Sequence, residues 1–176
     1  MIQSMLSHLA HGPERDNKNM LIFMSVFLIT LFFSASMLYA ECEVKLSKGQ
    51  TVYVPIYSHI YIGDQEVPFD LAVTLSIRNT DMKQPVKILS ADYYDSNGKL
   101  IKHYIEKPVQ LNALASTRYV IKESDNSGGS GANFIVRWQS SVAISIPIIE
   151  SVMIGTRMQQ GISFTSRGQV ISEHIE

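Results

Sequence analysis

The chain has 176 residues, of which 45% are hydrophobic and 18% are charged, and its formal net charge is −1. This balance excludes nucleic acid as the main partner, because phosphate binding needs a clear excess of Lys and Arg. The single cysteine, Cys42, excludes an intramolecular disulfide, a cysteine-based zinc site and an iron–sulfur cluster. We expect one folded domain and no metal or cofactor.

The N-terminal part is a targeting segment. After a leader at residues 1–19, residues 20–40 are apolar and carry no charge. As a helix this segment would be about 32 Å long, which matches the hydrocarbon core of a bilayer. Two interpretations stay open: a secretory signal cleaved after Ala40, or an uncleaved membrane anchor. Both predict an exported protein, periplasmic or anchored facing the periplasm or exterior, whose membrane contact is through residues 20–40 only if these are retained.

A lipoprotein is a third interpretation, since Cys42 lies two residues after the end of the apolar segment. It is the least favoured one, because Glu41 stands where a small residue normally precedes the modified cysteine. The alternative is an unpaired thiol near the mature N-terminus, which an oxidising compartment would let pair with another molecule.

The domain predicted over residues 41–176 has the alternating pattern of antiparallel strands. Apolar residues occupy every second position in 69–78, which predicts a strand with one buried face. Asn97 and Gly98 predict a hairpin turn between two further strands. Pro55 predicts an edge position or a break in its strand, because proline lacks an N–H donor. The expected strands cover residues 51–61, 69–78, 86–94, 99–105, 117–122, 133–140, 147–155 and 161–166, with a short last one at 169–172.

These strands predict an all-β fold, and we expect an antiparallel immunoglobulin-like β-sandwich preceded by the N-terminal signal or anchor helix. Trp138 is expected in its core. A single sheet closed on itself is the alternative architecture.

The most unusual segment is the glycine-rich stretch between Asp125 and Asn133. Glycines permit positive φ angles and close approach of a ligand, and successive free N–H groups would form an anion-binding nest. The alternative is a flexible connection between two strands. It is not a Walker P-loop, since no Gly-Lys-Ser/Thr follows. Ser130 lies in a near match to the hydrolase pattern G-x-S-x-G, but Ala132 replaces the last glycine and a strand replaces the required helix.

Three other places have a functional and a structural interpretation. Tyr57 and His59 belong to an aromatic run that predicts either a binding surface or cross-strand packing. Arg167 either holds a carboxylate or is a solvated residue of a turn. A sequence with Asp92 and Asp95 before Gly98 has part of the pattern of a calcium loop, but the hairpin turn explains it as well.

Several segments resemble a bacterial family known only as domain of unknown function 3124. They are VYVPIYSHIYIGD (52–64), LSIRNTD (75–81), DYYDSNGKL (92–100), ESDNSGGSGANFIVRW (123–138), PIIESVMIGT (147–156) and QGISFTSRG (160–168). The resemblance spans about residues 49–171, and SGGSGANF is its most distinctive run. It implies a small secreted or envelope-anchored bacterial protein and carries no known activity.

The sequence therefore predicts an exported cell-envelope protein that acts as a non-catalytic binding or interaction module. Its partner would be an envelope protein, a peptide or a glycan. One alternative is an extracytoplasmic hydrolase that uses the loop 123–133, and another is a structural or assembly protein that pairs through an exposed sheet edge. The predicted binding surface consists of Tyr57, His59, Asp125, Ser127, Gly128, Gly129, Ser130, Gly131, Asn133 and Arg167.

Overall fold

The computed structural model describes residues 19–27, 45–157 and 159–174. The chain divides into two units, Met1–Glu43 and Val44–Glu176. In the first unit, residues 19–27 form a helix. Among the described residues, no helix combines the length and the apolar character that crossing a membrane requires. The rest of the predicted segment 20–40, the cleavage position after Ala40, and Cys42 lie outside the described residues.

The second unit is built from β-strands, which confirms the all-β prediction. Its described strands are β1 (Leu46–Pro55), β2 (His59–Ile62), β3 (Val67–Asp70), β4 (Ala72–Arg78), β5 (Val86–Tyr94), β6 (Leu100–His103), β7 (Val109–Leu111), β8 (Ser116–Ile121), β9 (Asn133–Ser145), β10 (Ile148–Arg157), β11 (Gln160–Arg167) and β12 (Gln169–Glu173).

The strands form three antiparallel sheets. Six strands make the largest sheet, in the order β12-β1-β9-β5-β6, with β7 also paired to β5. Four strands make the second sheet, in the order β11-β10-β4-β8, and β2 and β3 form a separate hairpin. Neighbouring strands are often distant in sequence, as with β1 and β9, so the fold depends on long-range pairing. The strands thus form separate sheets rather than a single closed one.

One hydrophobic core contains buried side chains from both larger sheets, which gives the domain a β-sandwich-like construction. The alternation predicted for residues 69–78 is confirmed, because its apolar residues point into this core. Trp138 is fully buried, as predicted. The contributing side chains of this run are Phe69, Leu71, Val73, Leu75 and Ile77.

At two places local backbone geometry explains a difference between the predicted and the observed strands, whereas β7 was not predicted and β9 extends to Ser145 beyond its predicted end at 140. The strand predicted at 69–78 is interrupted at Leu71, whose N–H donates to the Ser58 carbonyl at 2.9 Å. The strand predicted at 51–61 breaks after Pro55, as proline allows, yet β1 lies between β12 and β9 rather than at an edge. The turn at Asp95–Gly98 is confirmed, with Gly98 at φ 78°.

Candidate functional site

The glycine-rich loop connects β8 to β9 and is fastened to the domain by two serines. The first is Ser58, which is fully buried just before β2. Its hydroxyl donates to the Gly129 carbonyl at 3.1 Å and accepts from the Gly129 N–H at 2.9 Å. The Ser58 N–H also donates to the same carbonyl, at 3.1 Å. This one serine therefore satisfies both peptide groups of Gly129.

The second serine is Ser96, in the turn between β5 and β6. Its N–H and its hydroxyl both donate to the Gly128 carbonyl at 2.9 Å. Its hydroxyl oxygen accepts from the Gly131 N–H at 2.9 Å. Two segments remote in sequence thus hold the loop from both sides, which gives it a defined shape.

Hydrogen bonds that the N–H groups of the loop already make limit its use as an anion site. The Ser127 N–H donates to the Asp125 carboxylate, and the Ser127 hydroxyl donates to the same oxygen. The N–H groups of Gly129 and Gly131 donate to serine oxygens. Because these alternate donors are already used inside the protein, they do not form the row of free N–H groups that a nest requires.

Two positions of the loop require glycine, one because of its backbone conformation and one because of its close neighbours. Gly129 has φ +80°, a conformation that side chains with a Cβ rarely adopt. A Cβ at Gly128 would overlap the Tyr93 hydroxyl and would lie 2.8 Å from the Ala132 Cβ. The glycines therefore allow tight packing of the loop onto the domain.

Beneath the loop lies a cluster of aromatic side chains. Tyr93 stacks on Phe134 with ring centroids 5.4 Å apart, and Tyr104 meets Phe134 edge-on at 5.3 Å. Tyr119 extends the cluster through an edge contact with Tyr104 at 5.8 Å. Burial raises the pKa of Tyr104 to about 12, with a smaller contribution from the negative charge of Asp125. Burial likewise raises the pKa of Tyr93. The cluster is an apolar platform on which the loop rests.

The β2–β3 hairpin is joined to the loop through Ser58. His59 Nδ1 lies 3.5 Å from the Ser58 hydroxyl, and His59 Nε2 lies 3.1 Å from the Tyr61 hydroxyl. The two rings meet edge-on with centroids 5.1 Å apart. Tyr61 is 54% exposed, and Ile62 and Val67 are each 39% exposed. We call Tyr61, Ile62 and Val67 the hairpin surface.

The other predicted site residues occupy different places. Tyr57 packs edge-on against Phe164, with centroids 5.7 Å apart, so this tyrosine belongs to the packing of the domain. Asn133 opens β9 opposite Pro55. Arg167 ends β11 opposite Glu150, and no hydrogen bond or ion pair within the described residues joins it to the loop. The structure thus brings His59 to the loop and leaves Arg167 apart from it.

The model of the family described as "Protein of unknown function (DUF3124)" matches residues 49–171. The chain belongs to this family. The match covers nearly all of the β-domain, including the glycine-rich loop and the β2–β3 hairpin, and it confirms the resemblance drawn from the sequence segments. Membership of the DUF3124 family brings no established activity with it.

Two further comparisons add little to the family assignment. No curated protein matches the chain. The crystal structure of Thermotoga maritima 1070 aligns with 71% of this chain and 97% of its own, at 12% sequence identity and a TM-score of 0.43. A likeness at that score implies nothing about what this DUF3124 member binds.

The hydrolase interpretation needs a histidine next to Ser130 or Asp125. The three histidines of the described β-domain have other hydrogen-bond partners. His59 contacts Ser58 and Tyr61, His103 Nδ1 lies 2.7 Å from the Asp92 carboxylate, and His174 Nε2 lies 3.0 Å from the Thr51 hydroxyl. The nucleophile–base pair required by that interpretation is not formed among these residues.

The calcium interpretation also lacks its geometry. Asp95 accepts from the N–H groups of Asn97 and Lys99 at 2.9 and 2.8 Å, as a hairpin turn requires. Asp92 instead pairs with His103. In the described part of the chain, no three His, Cys, Asp or Glu side chains are grouped as a metal site would need.

Sequence reasoning missed Ser58, Ser96 and Tyr93, which give the loop its shape. Ser58 lies 71 positions from Gly129, and Ser96 lies 32 positions from Gly128. No local pattern marks such pairs.

Proposed function

We propose that this protein is an exported cell-envelope protein whose β-domain is a non-catalytic binding module. Its binding face would be the hairpin surface together with the glycine-rich loop beside it. The partner would be an envelope protein, a peptide or a glycan. Residues 20–40 direct export in this proposal, either as a cleaved signal or as an anchor.

The observation that carries the proposal is the exposure of Tyr61, Ile62 and Val67 on a hairpin braced by a fixed loop. An exposed tyrosine offers apolar area and a hydroxyl to a partner, and aromatic residues are enriched in interfaces. Neighbouring exposed apolar groups on a soluble domain commonly mark an interaction surface. The bracing lowers the entropy lost on binding, because the surface is already ordered.

We further infer that the sandwich is of immunoglobulin-like type. The two antiparallel sheets around one core and the fully buried Trp138 support this inference. In sandwiches of that type, loops at the ends of the sheets form the binding surfaces. The loop and the hairpin meet where β1 ends and β9 begins, which is such an end.

Site-specific photocrosslinking in cells tests the proposed face. A photoreactive phenylalanine analogue at Tyr61 should give one discrete crosslinked product. The matched control places the same group at Leu114, which is 65% exposed in the turn between β7 and β8. Deleting residues 126–131 should abolish the Tyr61 product. Equal products at both positions, or a Tyr61 product that survives the deletion, would contradict the proposal.

Export needs a separate measurement. Residues 1–45 fused to an enzyme that is active only outside the cytoplasm should give activity, and inserting two lysines within residues 20–33 should remove it. The mass of the mature protein then distinguishes cleavage after Ala40 from retention of the segment. A fusion that is produced but shows no activity would contradict the export proposal and leave the binding proposal standing.

A further inference from the structure

A second surface, on the largest sheet, has the chemistry of an anion-binding site. It is a groove of about 820 Å³ on β1, β5, β7, β9 and β12, away from the glycine-rich loop. This volume lies within the range of about 300–1,000 Å³ typical of small-ligand sites. Its lining residues include Lys48, Lys87, Arg137, Gln139, Glu173 and His174.

Strand register brings the cationic side chains of the groove together. Lys87 of β5 lies opposite Gln139 of β9, and Gln139 lies opposite Gly49 of β1. Arg137 stands two residues before Gln139 on β9, so it shares a face with Gln139 and is a diagonal neighbour of Lys87. Gly49 lets β1 approach β9 closely at this point, since a Cβ there would lie 2.8 Å from the Trp138 carbonyl oxygen and 3.4 Å from the Gln139 Cβ.

Irregular register on both sides of β9 shapes the groove. On β5 the pairing passes from Ile88–Trp138 to Ser90–Arg137, so Leu89 is an extra residue. On β1 the register shifts between Ser47 and Gly49. Bulges of this kind re-aim side chains and occur often beside functional sites.

Two cationic side chains of the groove are not balanced from within it. Lys87 and Arg137 make no ion pair with any described residue. Glu173 is the acidic residue of the lining, and its carboxylate is already held. Its Oε1 accepts from Gln50 at 2.7 Å and lies 3.3 Å from Lys45 Nζ, while its Oε2 accepts from the Ser47 hydroxyl at 2.8 Å.

His174 is fixed at the rim of the groove. Its backbone N–H donates to the Gly49 carbonyl at 2.9 Å, and its ring Nε2 lies 3.0 Å from the Thr51 hydroxyl. The groove also presents the amides of Gln110 and Gln139 and the hydroxyl of Ser141, while the Ser140 hydroxyl donates to the Pro85 carbonyl at 3.3 Å. These groups suit a ligand that carries many hydroxyl groups between its acidic groups.

We propose that this groove binds an acidic saccharide, whose carboxylate or phosphate groups pair with Lys87 and Arg137. Arg137 would hold one acidic group through its planar fork of donors, and Lys87 would hold the next one as a point charge. The amide and hydroxyl groups of the lining would bind the sugar hydroxyls. This site is independent of the proposed hairpin face.

Calorimetry on the full-length chain in mild detergent tests the proposal with defined probes. Trigalacturonate, which carries three carboxylates, should bind saturably with one site per chain. Galactotriose with the same α-1,4 linkages, which is the neutral counterpart, should not bind. The double variant Lys87→Gln/Arg137→Gln should weaken trigalacturonate binding by about a hundredfold, since it removes two charge-assisted hydrogen bonds that are each worth about tenfold.

The matched control is Lys99→Gln/Lys122→Gln, which removes the same charge from exposed positions outside the groove. It should leave affinity within about twofold. A phosphorylated trisaccharide distinguishes phosphate from carboxylate as the preferred acidic group. The proposal is overturned if neither acidic saccharide binds, if hexaglutamate binds as tightly as they do, or if both double variants weaken binding equally.

Discussion

The Tyr93 hydroxyl occupies the space into which a side chain at Gly128 would project. Tyr93 is fully buried in β5, while Gly128 belongs to a loop 35 positions further along the chain. The contact is therefore a tertiary constraint on the identity of residue 128. It links the shape of the glycine-rich loop to the aromatic cluster beneath it.

Substituting Gly128→Ala should destabilise the domain by about 1–3 kcal/mol, because the added methyl overpacks a closed space. Gly131→Ala is the matched control, since its Cβ would lie 3.3 Å from the Ser96 Oγ and the backbone of Gly131 is not in the positive-φ region. Urea unfolding measures both. Adding Tyr93→Phe to Gly128→Ala should restore part of the loss, although the ring Cζ at 2.8 Å remains too close. Equal losses for the two glycine variants would contradict this account.

Ser58→Ala should cost more stability than Ser96→Ala, although both serines bond two peptide groups of the loop. Ser58 is fully buried, so its loss leaves the Gly129 N–H without an acceptor, at about 1–3 kcal/mol. Ser96 is exposed, so water replaces its hydroxyl. Hydrogen exchange at the Gly129 amide should accelerate strongly in Ser58→Ala. Unchanged exchange there would show that Ser58 does not hold the loop.

Features that depend on residues close together in the sequence could be predicted, whereas contacts between residues distant in the sequence could not. The alternation in 69–78 and the Asn97-Gly98 turn are local signals, and both were confirmed. The groove is different, since Lys87 and Arg137 meet only because β5 pairs with β9. Likewise, Ser58 meets Gly129 only after the sheets have formed. The site residues of this fold are set by register, which a single sequence does not reveal.

Strong base should destabilise the domain through Tyr104. Its pKa is raised by burial to about 12 from an ordinary value of 10.0. Below about pH 10 the Tyr104 hydroxyl is protonated in both the folded and the unfolded chain, so stability does not change with pH through this group. Between about pH 10 and 12 the unfolded chain loses this proton while the folded chain retains it. Stability should therefore fall across that range. Tyr104→Phe should reduce the fall, while Tyr61→Phe, at an exposed position, should not. Urea unfolding at several pH values measures the slope.

Acid should release the C-terminal strand through Glu173. Hydrogen bonds from Ser47 and Gln50, aided by Lys45, lower the pKa of this carboxyl from its ordinary value of 4.5. A carboxyl with a lowered pKa stabilises the fold above the pKa of the unfolded chain, and this contribution disappears as the pH falls through the folded pKa.

Glu173→Gln should therefore destabilise the domain at about pH 7, by less than about 1 kcal/mol because the side chain is partly exposed. As the pH falls below the folded pKa of Glu173, the unfolding temperatures of the variant and the parent should converge. Glu66→Gln, on an exposed turn, is the matched control and should change neither value. A loss for Glu173→Gln that persists undiminished in acid would show that Glu173 acts through packing rather than through its charge.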